Sequence, residues 1–557
     1  MGVAAPHPLP LGRSRDWVGV ARDAALMAFF VALACSISLS QGLLACLCAL
    51  VLAPPLLARP GVADAGAAER PSRDPWSNLD GLRRHPLAPP FLAFTGLTLL
   101  SAAFSGNPGW SFWIARDLLR IATFGIVLLC THDSRHAARL WQAFLAALTL
   151  MAAYGLSQAY LCATRPAVLP ATWMSEICTH AQRVRGPFSI YMTFGGVLFL
   201  GVLFFLAYLT NVPWRRVWWM LPGAALTVAA LAFTYSRNAW LGLAAGALGL
   251  ALTARRTVPI FAVVAAMLVV GAVAMPGQIA ERARSVVNLE DQTLRDRVAM
   301  WRAGLSMVAE HPLLGVGPGE VRTWYQHYRR PEAIRQSTGH LHNSPIQVAA
   351  ERGLPALGAW LWFWIVFFRE GWRILGRVGR ESSGRRALVC ASLAGVVGFL
   401  VAGLFEHNFG DAEVVMVVYA LMAQPWIVAR ELAATSPTRL DPAPKPDTPS
   451  PIRSADRHGD RGGPGASHLL DEVEPLGTGD PRGGSVIAPV GVTAACPVHL
   501  EPWNPGGPRL RAERRTGQCP REARRELPGR GREGRQLHPR DHHARSGWVP
   551  SPDLRGR

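Results

Sequence analysis

The sequence predicts an all-α polytopic membrane protein followed by a disordered tail, and three observations carry that prediction. Half of the 557 residues are hydrophobic, and they fall in long runs, as spans of about 20 residues crossing a bilayer core require. Arginines gather in alternate connections between those runs. Near residue 430 the character changes: Pro, Gly, Arg and Asp dominate from there on, and large apolar residues become scarce.

Apolar runs lie near 24–40, 43–58, 88–105, 117–132, 137–160, 187–210, 217–234, 238–254, 257–275, 354–369, 387–405 and 413–429. They predict about twelve transmembrane helices. The first follows Arg13, Arg15 and Arg22 and continues through Gly42 into a second run without a clear small-residue cleavage site, so it reads as a span and not as a cleaved signal peptide. Orientation follows from the short loops, because cytoplasmic connections collect basic residues. Arg59, Arg70, Arg73, Arg83 and Arg84 form one such cluster. Arg135 with Arg139, Arg215 with Arg216, Arg255 with Arg256, and the stretch from Arg369 to Arg386 form the others. Residues 1–23 then form a cytoplasmic N-terminus and 24–430 the transmembrane domain. The loops 106–116, 161–186, 235–238, 276–353 and 406–411 face outward.

The formal charge of +19 carries less information than its size implies, since Lys445 is the only lysine. The excess is arginine, a bias that GC-rich coding produces. Residues 431–557 hold roughly a third of the basic residues without the interleaved aromatics on which bases stack, so nucleic acid is not expected as a partner. That segment cannot bury enough apolar surface to offset the entropy of ordering and is expected to be a disordered cytoplasmic tail. Five of the nine cysteines, Cys35, Cys46, Cys48, Cys130 and Cys390, sit in apolar runs, where cysteine behaves as a small hydrophobe. Cys162 and Cys178 share one outward loop and are candidates for a disulfide on an oxidising side.

The outward loop 276–353 is the one long polar segment between spans, and it contains His340-Leu341-His342-Asn343-Ser344-Pro345. Ser344 and Gln347 have capping-box spacing, with Pro345 at the first helical position. A helix should begin there, its free N–H groups and positive dipole end directed back toward His342 and Asn343. This predicts an anion site suited to a phosphate-bearing substrate. Upstream, Leu294, Val298, Trp301, Leu305 and Val308 recur at helical spacing, giving an amphipathic helix with Arg297 beside its apolar stripe. His311-Pro312 ends it. Gly315-Val316-Gly317-Pro318-Gly319 imitates a phosphate loop, but Pro318 and the missing strand-to-helix context make it a turn. Arg322, Arg329, Arg330 and Arg335 read as solvated charge. Arg237, in Thr-Tyr-Ser-Arg-Asn-Ala-Trp at an outer helix end, reads by default as an interfacial anchor. Glu406-His407-Asn408 and Asp411 make a second polar knot at another outer end.

His340 and His342, two apart, share a face if extended, but no neighbouring Asp, Glu or Cys completes a ligand set, so no metal is expected. A Ser–His–Asp hydrolase lacks its nucleophile elbow. Arginines and a histidine beside a helix N-terminus remain. Guanidinium forks bind phosphate oxygens bidentately and keep their charge. A histidine, with an ordinary pKa near ~6.5, accepts a proton at neutral pH. The set suits glycosyl transfer from a lipid diphosphate, with arginines on the leaving group, histidine on the incoming hydroxyl and no cofactor.

Several short motifs stand in the same order as in a known family: Tyr-Ser-Arg-Asn-Ala-Trp at 235–240, Arg297-x-x-x-Trp301, Pro-Leu-Leu-Gly-Val-Gly-Pro-Gly at 312–319, and His340-x-His342-Asn343 through Glu351-x-Gly353. Arg185-Gly186-Pro187-Phe188 before Tyr191-Met192-Thr193, and Leu404-Phe405-Glu406-His407-Asn408 with Asp411, extend the series. Over residues 20–430 the chain resembles the O-antigen ligase and polymerase superfamily. The resemblance implies a GT-C-type glycosyltransferase of the bacterial inner membrane, its active site facing the periplasm. Its donor would be an undecaprenyl-diphosphate-linked glycan and its acceptor lipid A-core, and membrane lipids would surround it. His342 matches the family's loop histidine; Arg237 and Arg297 match its arginines, with Arg295 the alternative if the register slips. Asn343, His340, Arg295, Arg185 and Glu406 are the expected substrate-binding residues. Ala356 stands where the family has Gly, Thr or Tyr, with Gly358 two further on, a departure in the turn after His342. A repeat-unit polymerase and a protein O-oligosaccharyltransferase are alternatives within the superfamily. A transporter is the alternative from another class, disfavoured by the nearly charge-free spans and the lack of an evident inverted repeat.

Overall fold

In a computed structural model, the described residues are 17–57, 81–164, 183–254, 256–263, 265, 292–379 and 381–435. They lie within one compact unit, Met1–Ser450, and their regular secondary structure is helical, with no strand among them. The tail from 436, most of the expected span 257–275, and Cys178 fall outside the described residues. Cys162 is disulfide-bonded.

The chain opens with α1 (Trp17–Leu33) and α2 (Ile37–Leu57). Their junction lies earlier than the sequence pattern implied, because Ser36 accepts from the Leu39 N–H and starts the second helix, while Gly42 passes inside it. α3 (Ala88–Ala103) and α4 (Pro108–Ala115) follow, and a 3-10 turn, Arg116–Ile121, leads into α5 (Ala122–Cys130). Next come α6 (Ser134–Thr164), α7 (Tyr191–Asn211), the short α8 (Trp214–Val217), α9 (Leu221–Phe233) and α10 (Arg237–Thr253). The segment between α10 and the next long helix supplies α11 (Gln292–Glu310) and α12 (Val321–Tyr328). The chain ends with α13 (Ser344–Arg377), α14 (Ser383–Ala402), α15 (Ala412–Met422) and α16 (Gln424–Thr435).

Among the described residues, five helical stretches are long and apolar enough to cross a membrane: Ser134–Cys162, Tyr191–Asn211, Trp214–Phe233, Ser383–Ala402 and Ala412–Ala434. Ile37–Leu52 and Ala88–Ala103 are shorter apolar helices. α7 is apolar nearly all round and buried from Thr193 to Asn211, the signature of a helix at the centre of a bundle. Peripheral helices turn large apolar side chains outward, among them Leu150, Leu252 and Ile365, as a lipid-facing surface requires. This is a membrane protein.

Two packing devices position the site. α10 and α14 meet backbone to backbone: a Cβ on Gly242 would lie 2.8 Å from the Gly398 carbonyl, and one on Gly246 would lie 2.7 Å from that of Ala394. Small residues four apart allow this approach, and it brings the start of α10 next to the C-terminal end of α14. The second device is a break in α13 at Gly353, where φ is 81°. Leu354 N–H bonds the Pro312 carbonyl, and the N–H groups of Val316 and Gly317 bond those of Ala350 and Glu351. The glycine-rich turn is therefore a structural clasp across the break, and the expected span beginning at 354 is the second limb of a longer, interrupted helix.

The segment that carries α11 and α12 has a core of its own, in which Met300, Ala303, Met307, Val316, Tyr325 and Leu341 are buried together. This corrects the face assigned to α11. Its buried stripe runs through Ala299, Met300, Ala303 and Met307, while Leu305 is exposed. Gly304 lets Leu341 and Ile346 approach the helix; of the expected stripe Val308 is buried, Leu294, Val298 and Trp301 are half-buried, and Leu305 faces out.

Candidate active site

His342 is the last residue before the cap of α13, and its φ of 51° is left-handed, uncommon outside glycine. The cap itself is Asn343, whose Oδ1 accepts from Ile346 N–H at 2.9 Å. Ser344, expected to be the cap, is instead the first helical residue. Gln347 does not close a capping box either: its Oε1 accepts from Leu341 N–H at 2.8 Å. The correction moves the helix start one residue closer to His342.

Three hydrogen bonds staple the loop after α14 to this start. Ser344 N–H donates to the Gly403 carbonyl at 2.7 Å, Asn343 Nδ2 to that of Leu404 at 2.9 Å, and Ser344 Oγ to that of Glu406 at 3.2 Å. Asn408 adds to the staple by donating to the Phe399 carbonyl, and Asp411 caps α15 through Val414 N–H. The polar knot at 406–411 thus shapes the loop that carries Glu406.

The staple brings Glu406 beneath both histidines. His342 Nδ1 lies 2.8 Å and 2.9 Å from its two carboxylate oxygens, and His340 Nε2 lies 2.9 Å from Oε1. His407 N–H donates to the same oxygen at 3.1 Å, and Arg297 Nη2 reaches the other at 3.4 Å. Leu341 is fully buried, while the His340 and His342 rings lie 4.3 Å apart and both turn toward Glu406. The far nitrogen of His342, Nε2, lies 3.4 Å from Arg335 Nη1. Arg335 Nε is 3.3 Å from Asp296 Oδ2, and Asp296 Oδ1 accepts from the N–H groups of Ile334 and Arg335. Asp296 and Arg297, neighbours on α11, therefore grip opposite ends of the His342–Glu406 pair.

These contacts settle the proton on His342. A carboxylate only accepts and a guanidinium only donates, so Nδ1 carries the hydrogen and Nε2 the lone pair. Burial lowers the His342 pKa, although the Glu406 hydrogen bond and charge act against it; a neutral imidazole results. Burial would raise the Glu406 carboxyl, but the two imidazoles hold it well below the ordinary carboxylate range. Arg297 is lowered by burial, Glu406 raises it, and the Arg237 guanidinium pushes it down further, which sets Arg237, the first residue of α10, in its electrostatic neighbourhood.

Two substrate-binding candidates fall elsewhere. Arg295 is exposed, so in this stretch of α11 it is Arg297 that faces Glu406. Arg185 is half-buried in the turn before α7, and its side chain joins no hydrogen bond or ion pair among the described residues. The Glu406 carboxylate is occupied by histidines and arginine, an orienting position and not one that would greet an anionic substrate. Arg335, read from the sequence as solvated, and Asp296, not singled out, both belong to the centre. Asp296, an acid in the first turns of an amphipathic helix and next to a candidate arginine, was the available signal. His340, His342 and Glu406 could also be read as a metal-ligand trio, the acid that the local sequence lacks being supplied from 64 residues away. In this arrangement the carboxylate binds both imidazoles directly and a guanidinium stands on either side of the pair, a donor set suited to an anion. Next to His340 opens a cavity of about 290 Å³ walled in part by Arg322, Glu351, Arg352, Asp117 and His407.

Residues 222–361 match the protein-family model described as O-Antigen ligase. By this match the segment is similar to the O-antigen ligase family. A search of curated proteins returns no match. The family segment runs from α9 to the first half of α13 and contains Arg237, Arg297, Arg335, His340 and His342. Glu406, which orients both histidines, comes from outside it.

Proposed function

We propose that this protein is an O-antigen ligase-like glycosyltransferase that moves a glycan from undecaprenyl diphosphate to a sugar hydroxyl of lipid A-core, completing lipopolysaccharide at the periplasmic face of the inner membrane. The observation that carries the reading is the pairing of His342 with Glu406 beside Arg297. The acceptor hydroxyl oxygen attacks the anomeric carbon and yields its proton to His342 Nε2. The bond from that carbon to the diphosphate oxygen breaks, and Arg297 and Arg237 hold the negative charge that grows on the leaving group. Glu406 keeps the imidazole in the tautomer that presents Nε2 and stabilises the imidazolium that forms, as orienting carboxylates do in other histidine bases. Asn343 sets the backbone that aims His342, and His340 braces the carboxylate. The cavity beside His340, where charged Arg322, Glu351 and Arg352 stand among Trp110, Phe94 and Phe409, suits a sugar ring of the acceptor. The chemistry needs no metal. About twelve spans, with the loop 276–353 outside, fit the arginine bias of the remaining loops.

The test is the glycan profile of a deletion strain complemented with wild type or His342→Ala. A ligase leaves lipid A-core uncapped while lipid-linked polymer accumulates, and His342→Ala restores nothing despite normal protein levels. Capping by one repeat only would reassign the protein as a polymerase. Normal lipopolysaccharide with unglycosylated surface proteins would make it a protein-directed transferase. Full rescue by His342→Ala would end the catalytic reading.

A further inference from the structure

We propose that Arg335 is a positioning residue that covers the proton-accepting nitrogen of His342 until a lipid diphosphate is bound, so that the donor uncovers the base before the acceptor hydroxyl arrives. The inference rests on the catalytic reading of His342 given above and adds an order of events to it.

The geometry is specific. Nδ1 of His342 is committed to Glu406, so Nε2 is the one nitrogen able to take a proton, and Arg335 Nη1 stands on it at 3.4 Å. That length is long for an N–H donor, and the acceptor is a neutral ring, so the contact is weak. The rest of Arg335 is held firmly. Asp296, itself buried, takes the backbone N–H groups of Ile334 and Arg335 and the Arg335 Nε. Because Nε belongs to the planar guanidinium, the group can only tilt as a unit about the Asp296 contact, and a small tilt is enough to take Nη1 off Nε2. About half of its side chain is exposed, at 53%, so the fork is accessible to an incoming phosphate group.

A diphosphate reaching Arg297 and Arg237 brings charged oxygens close to that fork. A guanidinium binds phosphate by two charge-assisted hydrogen bonds, each stronger than a bond to a neutral imidazole. Arg335 transfers its donor to the diphosphate, Nε2 loses its cover, and the fork adds a third guanidinium to the leaving group. In the absence of donor the base stays occupied and water is not activated beside it. No bond is made or broken in this step; one hydrogen bond is exchanged for others.

The test uses full-length protein in lipid nanodiscs and diethyl pyrocarbonate, which acylates an unprotonated imidazole nitrogen, with the labelled histidine located by mass spectrometry. His340 serves as the internal reference. In Arg335→Ala, His342 should label roughly three- to tenfold faster than in wild type, the range that losing one hydrogen bond of ordinary net strength allows. Arg335→Lys, which can keep the Asp296 ion pair but is too short to also reach Nε2, should label like Arg335→Ala and covers the case in which the alanine variant does not fold. Undecaprenyl diphosphate without glycan should speed labelling of wild type and leave both variants unchanged. Equal rates in folded wild type and variants, or slower labelling of wild type with the diphosphate, would overturn the proposal. Labelling does not depend on turnover, so these outcomes are separate from the complementation test of His342→Ala.

Discussion

Glu406 gathers two imidazoles, one guanidinium and a backbone N–H on a single carboxylate, and the behaviour of His342 follows from that crowding. Because burial lowers the His342 pKa from its ordinary 6.5, transfer activity should stay high through neutral pH and fall only below the usual histidine range. Glu406→Gln removes the hydrogen bond and charge that raise this pKa. The acid limb should therefore move to still lower pH, while the plateau drops by about 10- to 100-fold, as when an orienting partner is lost. A pH–rate profile of wild type and variant checks both signs; an acid limb moving upward would contradict the assigned direction. At this scale the sequence showed which residue types were present. It could not show that a glutamate 64 positions from His342 would sit 2.8 Å from it, because that distance is made by the staple between two loops.

The start of α13 does two jobs, capping a helix and aiming His342. Asn343→Ala deletes the cap, worth about 1 kcal/mol, and also leaves the Leu404 carbonyl without its donor. Thermal unfolding in detergent should begin several degrees earlier, and transfer activity should fall further than stability does, since the loop carrying Glu406 loosens at the same time. The break in the same helix offers a paired measurement. A Cβ at Gly353 would collide with the Leu313 carbonyl, and φ there is 81°, so Gly353→Ala should strongly reduce accumulation of folded protein. Gly358→Ala meets nothing within 4 Å and should be neutral or slightly stabilising, as alanine is in a helix interior. If both variants accumulate equally, the clasp is not holding the break. The capping signal in the sequence identified a helix start here but missed the cap by one residue, since Asn and Ser are comparable caps and the tertiary bonds to Gly403 and Leu404 select between them.

At the scale of the whole molecule, the proposal requires the His342 centre and the arginine-rich connections to lie on opposite sides of the bilayer. Arg295 and Arg377 are both exposed and neither belongs to the centre. Arg295→Cys should react with a membrane-impermeant maleimide in cells with a permeabilised outer membrane, whereas Arg377→Cys should react only after the inner membrane is opened. Labelling of both from one side would refute the topology.

The sequence by itself determined what depends on composition and local period: apolar helices, arginine on alternate connections, an amphipathic helix in the outer loop, and a His-x-His segment with both rings on one face. It also placed Arg237, Arg297 and His342 among the candidates through the resemblance of their motifs. Tertiary structure alone decided which groups meet. The glycine contact between α10 and α14, the clasp at Gly353 and the staple from Gly403 to Glu406 close distances that no local pattern encodes. They turned Glu406 from a loop acid into the partner of two histidines, turned Arg297 and not Arg295 toward that carboxylate, drew Arg335 out of a run of solvated charges, and brought in Asp296, which the sequence did not single out. A hydrogen bond depends on the position of two atoms within a few tenths of an ångström, and for residues far apart in the chain only the packing of the bundle sets that position.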